Sequence, residues 1–353
     1  MESGLKLKTD LRSLTYDELE NHLVDMGEKK FRASQIYDAV FNKGIQDIND
    51  ITNISKSLRE RLANDYKIDS LNNEKKLVSK IDGTVKYLFS TADGECIESV
   101  VMKYNHGYTI CISSQAGCAM GCAFCASTIG GKKRNLTSGE IISQIMCAAK
   151  DSKVHISNIV MMGIGEPLDN FENVKKFLIN VNDKRGLNIG YRHISLSTCG
   201  LADKIYELAK MNIPITLSVS LHASDNKTRS SIMPVNKKFP IEKLMEAVRY
   251  YQSVTGRRIS FEYALIKDVN DNEKAAAALV KTVDGVMCHI NLIPVNAVTE
   301  RGFEKPAQAK IKKFIDVIEK NKITATVRRE LGSDINASCG QLRNKNKNAK
   351  NGS

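Results

Sequence analysis

Residues 108–150 read YTICISSQAGCAMGCAFCASTIGGKKRNLTSGEIISQIMCAAK, and the order of patterns within them decides the fold. YTICIS alternates β-branched and small residues as a strand does, a cysteine-rich loop follows, and SGEIISQIMCAAK spaces its apolar residues as a helix does. The same strand-then-helix rhythm recurs downstream. NIVMMG (158–163), HISLST (193–198), ITLSVS (215–220), ISFEYAL (259–265), HINLIP (289–294) and TATVRR (324–329) read as further strands. FENVKKFLINVND, LADKIYELAK and KAAAALVKTV read as helices between them. Such alternation predicts a parallel sheet with helices outside it, and this many units suit a TIM-like β/α barrel, complete or partial, better than an open doubly wound sheet. In a barrel of this type the loops after the strands form the active-site mouth, so the cysteine loop lies there.

Upstream the character changes. LTYDELENHLVDM (14–26), FRASQIYDAVFNKG (31–44) and SKSLRERLANDY (55–66) read as short helices, the first with a Thr positioned to cap it and the second with a Gly at its stop. KKLVSK, VKYLFS and CIESVVMKY alternate apolar and polar residues around Asp82-Gly83 and Asp93-Gly94, the signature of antiparallel hairpins. The predicted organisation is an N-terminal helical accessory domain over 1–72, a β-hairpin extension over 73–106, the barrel over 107–343, and a disordered polar tail, NKNKNAKNGS, over 344–353.

The 353 residues include 52 Lys and Arg against 40 Asp and Glu, a net charge of +12 that suits a polyanion such as nucleic acid. The helical domain is the expected RNA-docking element. Trp is absent and aromatics are 6%, so no broad stacking platform is evident. No apolar run approaches the roughly 18 residues that span a bilayer, and the early acidic residues do not suit a secretory signal, so a cytoplasmic protein is expected. Nine cysteines in that compartment are reduced thiols rather than structural disulfides. Cys96, Cys147, Cys199 and Cys288 sit in apolar or strand-like surroundings and read as packing residues. Cys111, Cys118, Cys122, Cys125 and Cys339 need another explanation.

Cys118, Cys122 and Cys125 are spaced C-x3-C-x2-C. Three thiolates that close together can hold one soft metal centre from a single loop. A structural zinc site wants a fourth ligand and commonly a second knuckle, and none is present in the sequence. A [4Fe–4S] cubane with three protein ligands keeps one iron open. That iron can hold the amino and carboxylate groups of S-adenosylmethionine (SAM) and pass an electron to its sulfonium, releasing a 5′-deoxyadenosyl radical. This is the radical SAM type of barrel. The SAM pocket is expected at the ends of later strands: Gly165 and Glu166 after NIVMMG, Ser197 at the end of HISLST, Ser220, Leu221 and His222 at the end of ITLSVS, and Asn296 after HINLIP. Lys132, Lys133 and Arg134, just past the cluster loop, are candidates for a phosphate contact.

CISSQAGCAMGCAFCA (111–126), GIGEPL (163–168), LSVSLHA (217–223), INLIPVN (290–296) and DINASCGQL (334–342) together resemble the RlmN-type dual-specificity adenine-C2 RNA methyltransferases. The resemblance runs from about residue 10 to 343, and its most specific parts are the ASCGQL segment and the Cys seven residues before the cluster motif. It implies methylation of C2 of an adenosine in 23S rRNA and of one beside the anticodon in tRNA, with two SAM molecules per turnover. One SAM methylates a cysteine, which the ASCGQL match assigns to Cys339. The radical from the second removes hydrogen from that thiomethyl group, and the methylene joins the base. Cys111 then resolves the adduct through a transient disulfide with Cys339, and Glu98, in IESV, acts as proton acceptor. The resemblance also implies an external electron donor of flavodoxin or ferredoxin type, and a monomer is expected. GIGEP stands where GMGEP is usual and ASCGQL where AACGQL is commoner; both keep every reactive group. Gly165-Glu166-Pro167 and Pro294 favour the C2 branch over the related C8 adenine methyltransferases that confer antibiotic resistance. A non-catalytic iron–sulfur RNA-binding protein and a zinc-bearing nucleic-acid binder are the readings from other classes.

Overall fold

The computed structural model describes residues 8–296, 298 and 300–342. The tail expected to be disordered, 344–353, lies outside the described residues. The chain opens with three helices, α1 (Tyr16–Asp25), α2 (Phe31–Phe41) and α3 (Lys56–Asp65). Thr15 and Glu18 form a reciprocal capping box on α1, which satisfies two of the backbone groups that a helix start leaves unpaired. Leu19 and Leu23 of α1 meet Ile36, Tyr37 and Val40 of α2 and Leu58 and Leu62 of α3 in a core continuous with that of the main domain.

The main domain is built on one sheet whose strands are hydrogen-bonded strictly in chain order. They are β1 (Asn72–Val78), β2 (Val85–Ser90), β3 (Cys96–Tyr104), β4 (Gly107–Cys111), β5 (Ile156–Met161), β6 (Ile194–Thr198), β7 (Thr216–Ser220), β8 (Ile259–Leu265), β9 (Cys288–Pro294) and β10 (Thr324–Val327). The pairs from β1 to β4 are antiparallel, turning near Gly83 and Gly94, both with positive φ. Those from β4 to β10 are parallel. All seven strands expected from 108 onward are present. Among the described residues β1 and β10 are not paired to each other, so the barrel is partial. Helices α4 (Ser138–Ser152), α5 (Phe171–Asn182), α6 (Ala202–Lys210), α7 (Asn226–Ile232), α8 (Ile241–Thr255), α9 (Glu273–Thr282) and α10 (Gln308–Lys320) follow the parallel strands. None of the described helices is long and apolar enough to cross a membrane.

Strand periodicity sorts the barrel's two faces. Leu196, Leu217, Val219, Phe261, Tyr263, Ile290 and Leu292 belong to the apolar core beneath the helices. The alternate positions carry Ser197, Ser218, Ser220, Ser260, Glu262 and Asn291. Small and polar side chains on that second face leave an interior that can be occupied by something other than the protein's own core.

The helical domain is fixed to the barrel by polar contacts as well as packing. The Arg12 guanidinium donates to Asp69 O at 2.6 Å, Ser143 Oγ of α4 at 3.2 Å and Ile45 O at 3.2 Å. Asn180 of α5 donates to Arg12 O and Leu14 O, and Gly139 N donates to Ser13 Oγ.

Candidate active site

The cysteine loop leaves β4, makes a short antiparallel pairing between Gln115–Gly117 and Lys132–Asn135, and returns into α4. Its fold is held by backbone and hydroxyl contacts and by the packing of Met120, Cys122 and Phe124 against Ile232 and Met233. Ala123 N donates to Ile232 O at 2.8 Å, and Thr128 Oγ1 donates to the carbonyls of Cys122 and Cys125. Arg301 crosses over to donate to Thr128 Oγ1 and Cys125 O. Cys118, Cys122 and Cys125 all line one cavity of about 160 Å³ at the C-terminal ends of the parallel strands. Burial pushes the Cys118 thiol up to about 12, and raises those of Cys122 and Cys125 as well. A metal centre that takes them as thiolates must therefore displace their protons.

The same cavity gathers most of the residues expected to hold SAM. Gly165, Glu166, Ser197, Ser220, His222 and Asn296 line it. Gly165 has φ +105°, and a Cβ there would sit 2.6 Å from Cβ of Gln115, so the turn admits only glycine. The Glu166 carboxylate accepts from Cys199 N at 2.7 Å and Leu168 N at 3.0 Å, which fixes it against the cavity wall. Burial raises its pKa. His222 Nδ1 accepts from Ala264 N at 2.9 Å, which leaves Nε2 as the protonated nitrogen. Burial, with the Arg229 charge added, holds its pKa down at about 3, so the ring is a neutral donor. Phe124 from the cysteine loop meets it edge-on at 4.9 Å.

Leu221 departs from expectation. It is fully buried in the apolar core, and its carbonyl accepts from Arg229 Nε at 3.0 Å. It supports the cavity from below rather than lining it. Cys199 packs as expected, in a small apolar cluster with Ile232, Met233 and Ile266, and it also lines the cavity beside Glu166. Arg229, inconspicuous in the sequence, donates to the carbonyls of Cys199, Ser220, Leu221 and Phe239 and to Asn236 Oδ1. It ties the ends of β6 and β7 together under the site.

The C-terminal segment closes the cavity. Asn296 Nδ2 donates to Cys339 O at 2.9 Å, Ala126 N to Gly340 O at 2.7 Å and Ser127 Oγ to Leu342 O at 2.8 Å. These latches put Cys339 on the cavity's wall. Cys339 also lines a second, larger cavity of about 840 Å³, and Ile293, Val295, Asn296 and Arg328 share that wall with it. Cys111 lies behind this wall in a small apolar cluster with Val100, Met102, Ile164, Leu331 and Leu342. Burial and then the nearby Cys339 push the Cys111 thiol up to about 12. Arg328, also missed from sequence, is flanked by Glu262 at 3.6 Å and Met162 Sδ at 3.3 Å, and both cysteines act on its charge.

Glu98 and two of the basic trio are found engaged with other groups of the protein. Glu98 is 4% exposed, lines neither of these cavities, and is ion-paired with Lys86 at 2.9 Å. Lys86 Nζ in turn donates to Asn336 O at 2.9 Å, so the pair anchors the segment that carries Cys339. Of the basic trio, Lys132 is paired with Asp169 at 2.7 Å, and Arg134 with both Asp93 and Glu140. Those pairs tie the cysteine loop to neighbouring segments, while Lys132 and Lys133 remain exposed.

Three thiols on one loop, opening into a cavity with Met120, Phe124 and Met233 around them, suit a soft cluster in a water-poor pocket.

Residues 112–280 match the model of the radical SAM superfamily, and residues 9–68 match the N-terminal domain of ribosomal RNA large subunit methyltransferases. The chain is 54% identical over 338 residues to a probable dual-specificity RNA methyltransferase RlmN of Alkaliphilus oremlandii, covering 96% of this chain and 98% of that protein. It is 53% identical to the corresponding protein of Clostridium acetobutylicum, covering 92% and 94%. A radical SAM methyltransferase from Sphaerobacter thermophilus, solved by crystallography, superposes with a TM-score of 0.88 at 39% identity, over 95% of this chain and 99% of that one.

Proposed function

The chain belongs to the RlmN family of radical SAM RNA methyltransferases, whose cofactors are a [4Fe–4S] cluster and SAM, and we propose that it methylates C2 of an adenosine in 23S rRNA and in tRNA. The observation that carries this reading is the position of Cys339 on the wall between two cavities, one lined by the three loop cysteines and the other open beyond it. A residue that receives a methyl group on one side and delivers it to a base on the other needs that position.

When bound, the cluster and SAM supply a reducing electron and a carbon radical able to remove hydrogen from an unactivated C–H bond. Cys118, Cys122 and Cys125 would hold the cluster. Gly165, Glu166, Ser197, Ser220, His222 and Asn296 would hold SAM: the Glu166 carboxylate accepts from its ammonium, and neutral His222 donates without adding charge. Every other requirement falls on the chain itself. Cys339 accepts the methyl as a thioether, and Asn296, through Cys339 O, fixes where that thioether sits. Cys111, protonated and shielded while it waits, is released from its apolar cluster only when the segment around Leu331 and Leu342 shifts. Deprotonated, it then attacks the Cys339 sulfur: the S–S bond forms as the S–C bond to the base breaks, and the released carbon takes up a proton to become the methyl group. The proton acceptor role of Glu98 requires it to exchange Lys86 for the substrate, a step that would loosen the anchor on Asn336 and permit that shift. We place the enzyme in the cytoplasm as a monomer, served by a flavodoxin- or ferredoxin-type donor.

Mass spectrometry tests the proposal on anaerobically reconstituted protein given SAM, a reductant and an RNA fragment bearing the target adenosine. The expected result is methyl on Cys339 and 2-methyladenosine in digested RNA. The 8-methyl isomer would keep the mechanism and move the carbon. A loaded protein that binds the RNA yet yields neither modification would overturn the catalytic reading.

A further inference from the structure

Two of the cations around the cysteine loop are neutralised by the protein itself. Lys132 meets Asp169, and Arg134 meets Asp93 and Glu140. Arg229, beneath the loop, spends its donors on carbonyls and an amide oxygen. Arg301 differs from all three. Its Nη2 donates to Cys125 O at 3.3 Å and Thr128 Oγ1 at 2.6 Å, and it has no ion pair among the described residues. Its Nε is shut off from solvent and donates to nothing among them. A buried donor left over in this way calls for an acceptor that the protein does not itself supply. Arg12 Nε and Arg257 Nε are also unspent, but neither arginine donates to the cysteine loop.

The segment that carries Arg301 is fixed on both sides of it. Arg301 N donates to Val298 O at 2.8 Å in a turn, and Glu304 O accepts from Lys267 N at 2.9 Å. Between them Phe303 packs against the same apolar cluster as Met120, Phe124 and Cys125. The guanidinium is thus held behind the cavity wall, since Cys125 and Thr128 line that cavity and Arg301 does not. Burial raises the Cys125 thiol; Ser127 and then the Arg301 charge oppose it, which puts that charge within range of the sulfur.

We propose that Arg301 sets the reduction potential of the iron–sulfur cluster, its charge and unspent Nε–H acting on the Cys125 thiolate to favour the reduced form. The proposal rests on the cluster assigned to the three loop cysteines, and not on the RNA substrate or the carbon methylated. Three thiolates give a [4Fe–4S] cluster a net negative charge, and reduction adds one more. A fixed cation beside one ligand stabilises the reduced form more than the oxidised form, most strongly where water is scarce. Cleaving SAM draws on that electron, so Arg301 governs how completely a given donor can load the site. Arginine suits the task, because one planar group can hold the loop through Cys125 O and Thr128 while a further donor stays available.

The test is an anaerobic potentiometric titration of the reconstituted protein, without RNA, followed by the EPR signal of the reduced cluster. Arg301→Gln removes the charge and should shift the midpoint to more negative potential by about 59 mV, a tenfold change in a one-electron equilibrium. Arg301→Lys keeps the charge without the fork, and its midpoint should fall between those of Arg301→Gln and the wild type. At the wild-type midpoint, where half of the wild-type cluster is reduced, Arg301→Gln should be only about one-tenth reduced. Formation of 5′-deoxyadenosine from SAM at that potential should slow in proportion.

Iron and sulfide per chain separate this role from that of a structural tie. Variants that hold a full cluster at the wild-type potential overturn the proposal. So does loss of the cluster from both variants, since Arg301 would then serve only to hold the loop. If Arg301→Gln alone loses it, a midpoint of Arg301→Lys below the wild type's supports the proposal, and an unchanged one overturns it. A wild type that assembles no cluster overturns this proposal together with the cluster reading it rests on.

Discussion

The seam that joins the N-terminal helices to the barrel and the mouth of the barrel both bury arginine, and they use it in opposite ways. At the seam Arg12 is 2% exposed and spends its guanidinium on fixed acceptors, two of them backbone carbonyls. At the mouth Arg328 has a thioether and a carboxylate beside it at 3.3 and 3.6 Å, and it faces two cavities. A buried cation whose donors are filled by the protein is a structural tie, because removing it strands those acceptors. One that fronts a cavity keeps its donors for what enters. The cysteines divide the same way. Cys147 reaches Leu71 O at the seam, while Cys339 stands at the wall of the mouth and Cys111 behind it, with no disulfide between them.

The comparison makes its largest claim at Cys339. Cys339→Ala should reduce formation of methylated adenosine to background, measured in digested RNA, while the thermal midpoint moves by less than the equivalent of about 1 kcal/mol. A variant that instead unfolds would make the segment structural and erase the distinction between the two regions. Arg229 belongs to the structural class although it lies just under the mouth, since its donors meet five acceptors. Arg229→Met should therefore cost about 3–5 kcal/mol in denaturant unfolding, from stranded carbonyls and an unplugged strand end. At the seam, Asn180→Ala strands Arg12 O and Leu14 O and should cost about 2–3 kcal/mol. Turnover per folded molecule should be unchanged in that variant; a loss of turnover at full folding would show that the seam communicates with the mouth.

The division also explains how much could be read from the chain. The seven parallel strands were legible because a two-residue alternation and a helical one succeed each other in clear order, and the loop cysteines because C-x3-C-x2-C brings three thiols together without help from the rest of the fold. The Gly165-Glu166 turn was legible for the same local reason. Arg328 and Arg229 were not, since TVRR reads as any basic strand end and a lone arginine on a short helix reads as a solvated one. Their importance comes from partners far away in sequence: Glu262 for one, Cys199 and Ser220 for the other. Leu221 was misplaced because it stands between two lining residues and was read with them, although the chain turns its side chain into the core there. The Glu98–Lys86 pair depends on the register that sets Leu88 opposite Glu98, which no single-strand pattern contains. Lys132 and Arg134 looked free for phosphate only until the fold brought Asp169 and Asp93 beside them.

The smallest effect, and the finest test of the seam, concerns Asp10. Its carboxylate is 6% exposed and accepts from Arg12 N at 3.1 Å and Asp69 N at 3.2 Å, with Ser13 Oγ at 3.3 Å. Burial outweighs those hydrogen bonds and raises its pKa to about 6. A carboxyl whose pKa is raised by folding is bound to its proton more tightly in the folded state than in the unfolded one. Its contribution therefore favours folding at low pH and is lost as the pH rises through about 4 to 6, the reverse of an ion-paired aspartate. Between pH 4.5 and 6.5 that contribution amounts to roughly 2 kcal/mol. Other carboxylates, such as Asp93 beside Arg134, run the opposite way, so the informative quantity is the difference between the wild type and Asp10→Asn. The amide keeps the shape and does not titrate. Relative to the wild type, Asp10→Asn should therefore gain stability as the pH rises over that interval, followed by denaturant midpoints at matched ionic strength. A difference that stays flat with pH would mean that Asp10 is charged throughout and that the seam holds it as an ion, like Glu98 beside Lys86, and not as a buried acid.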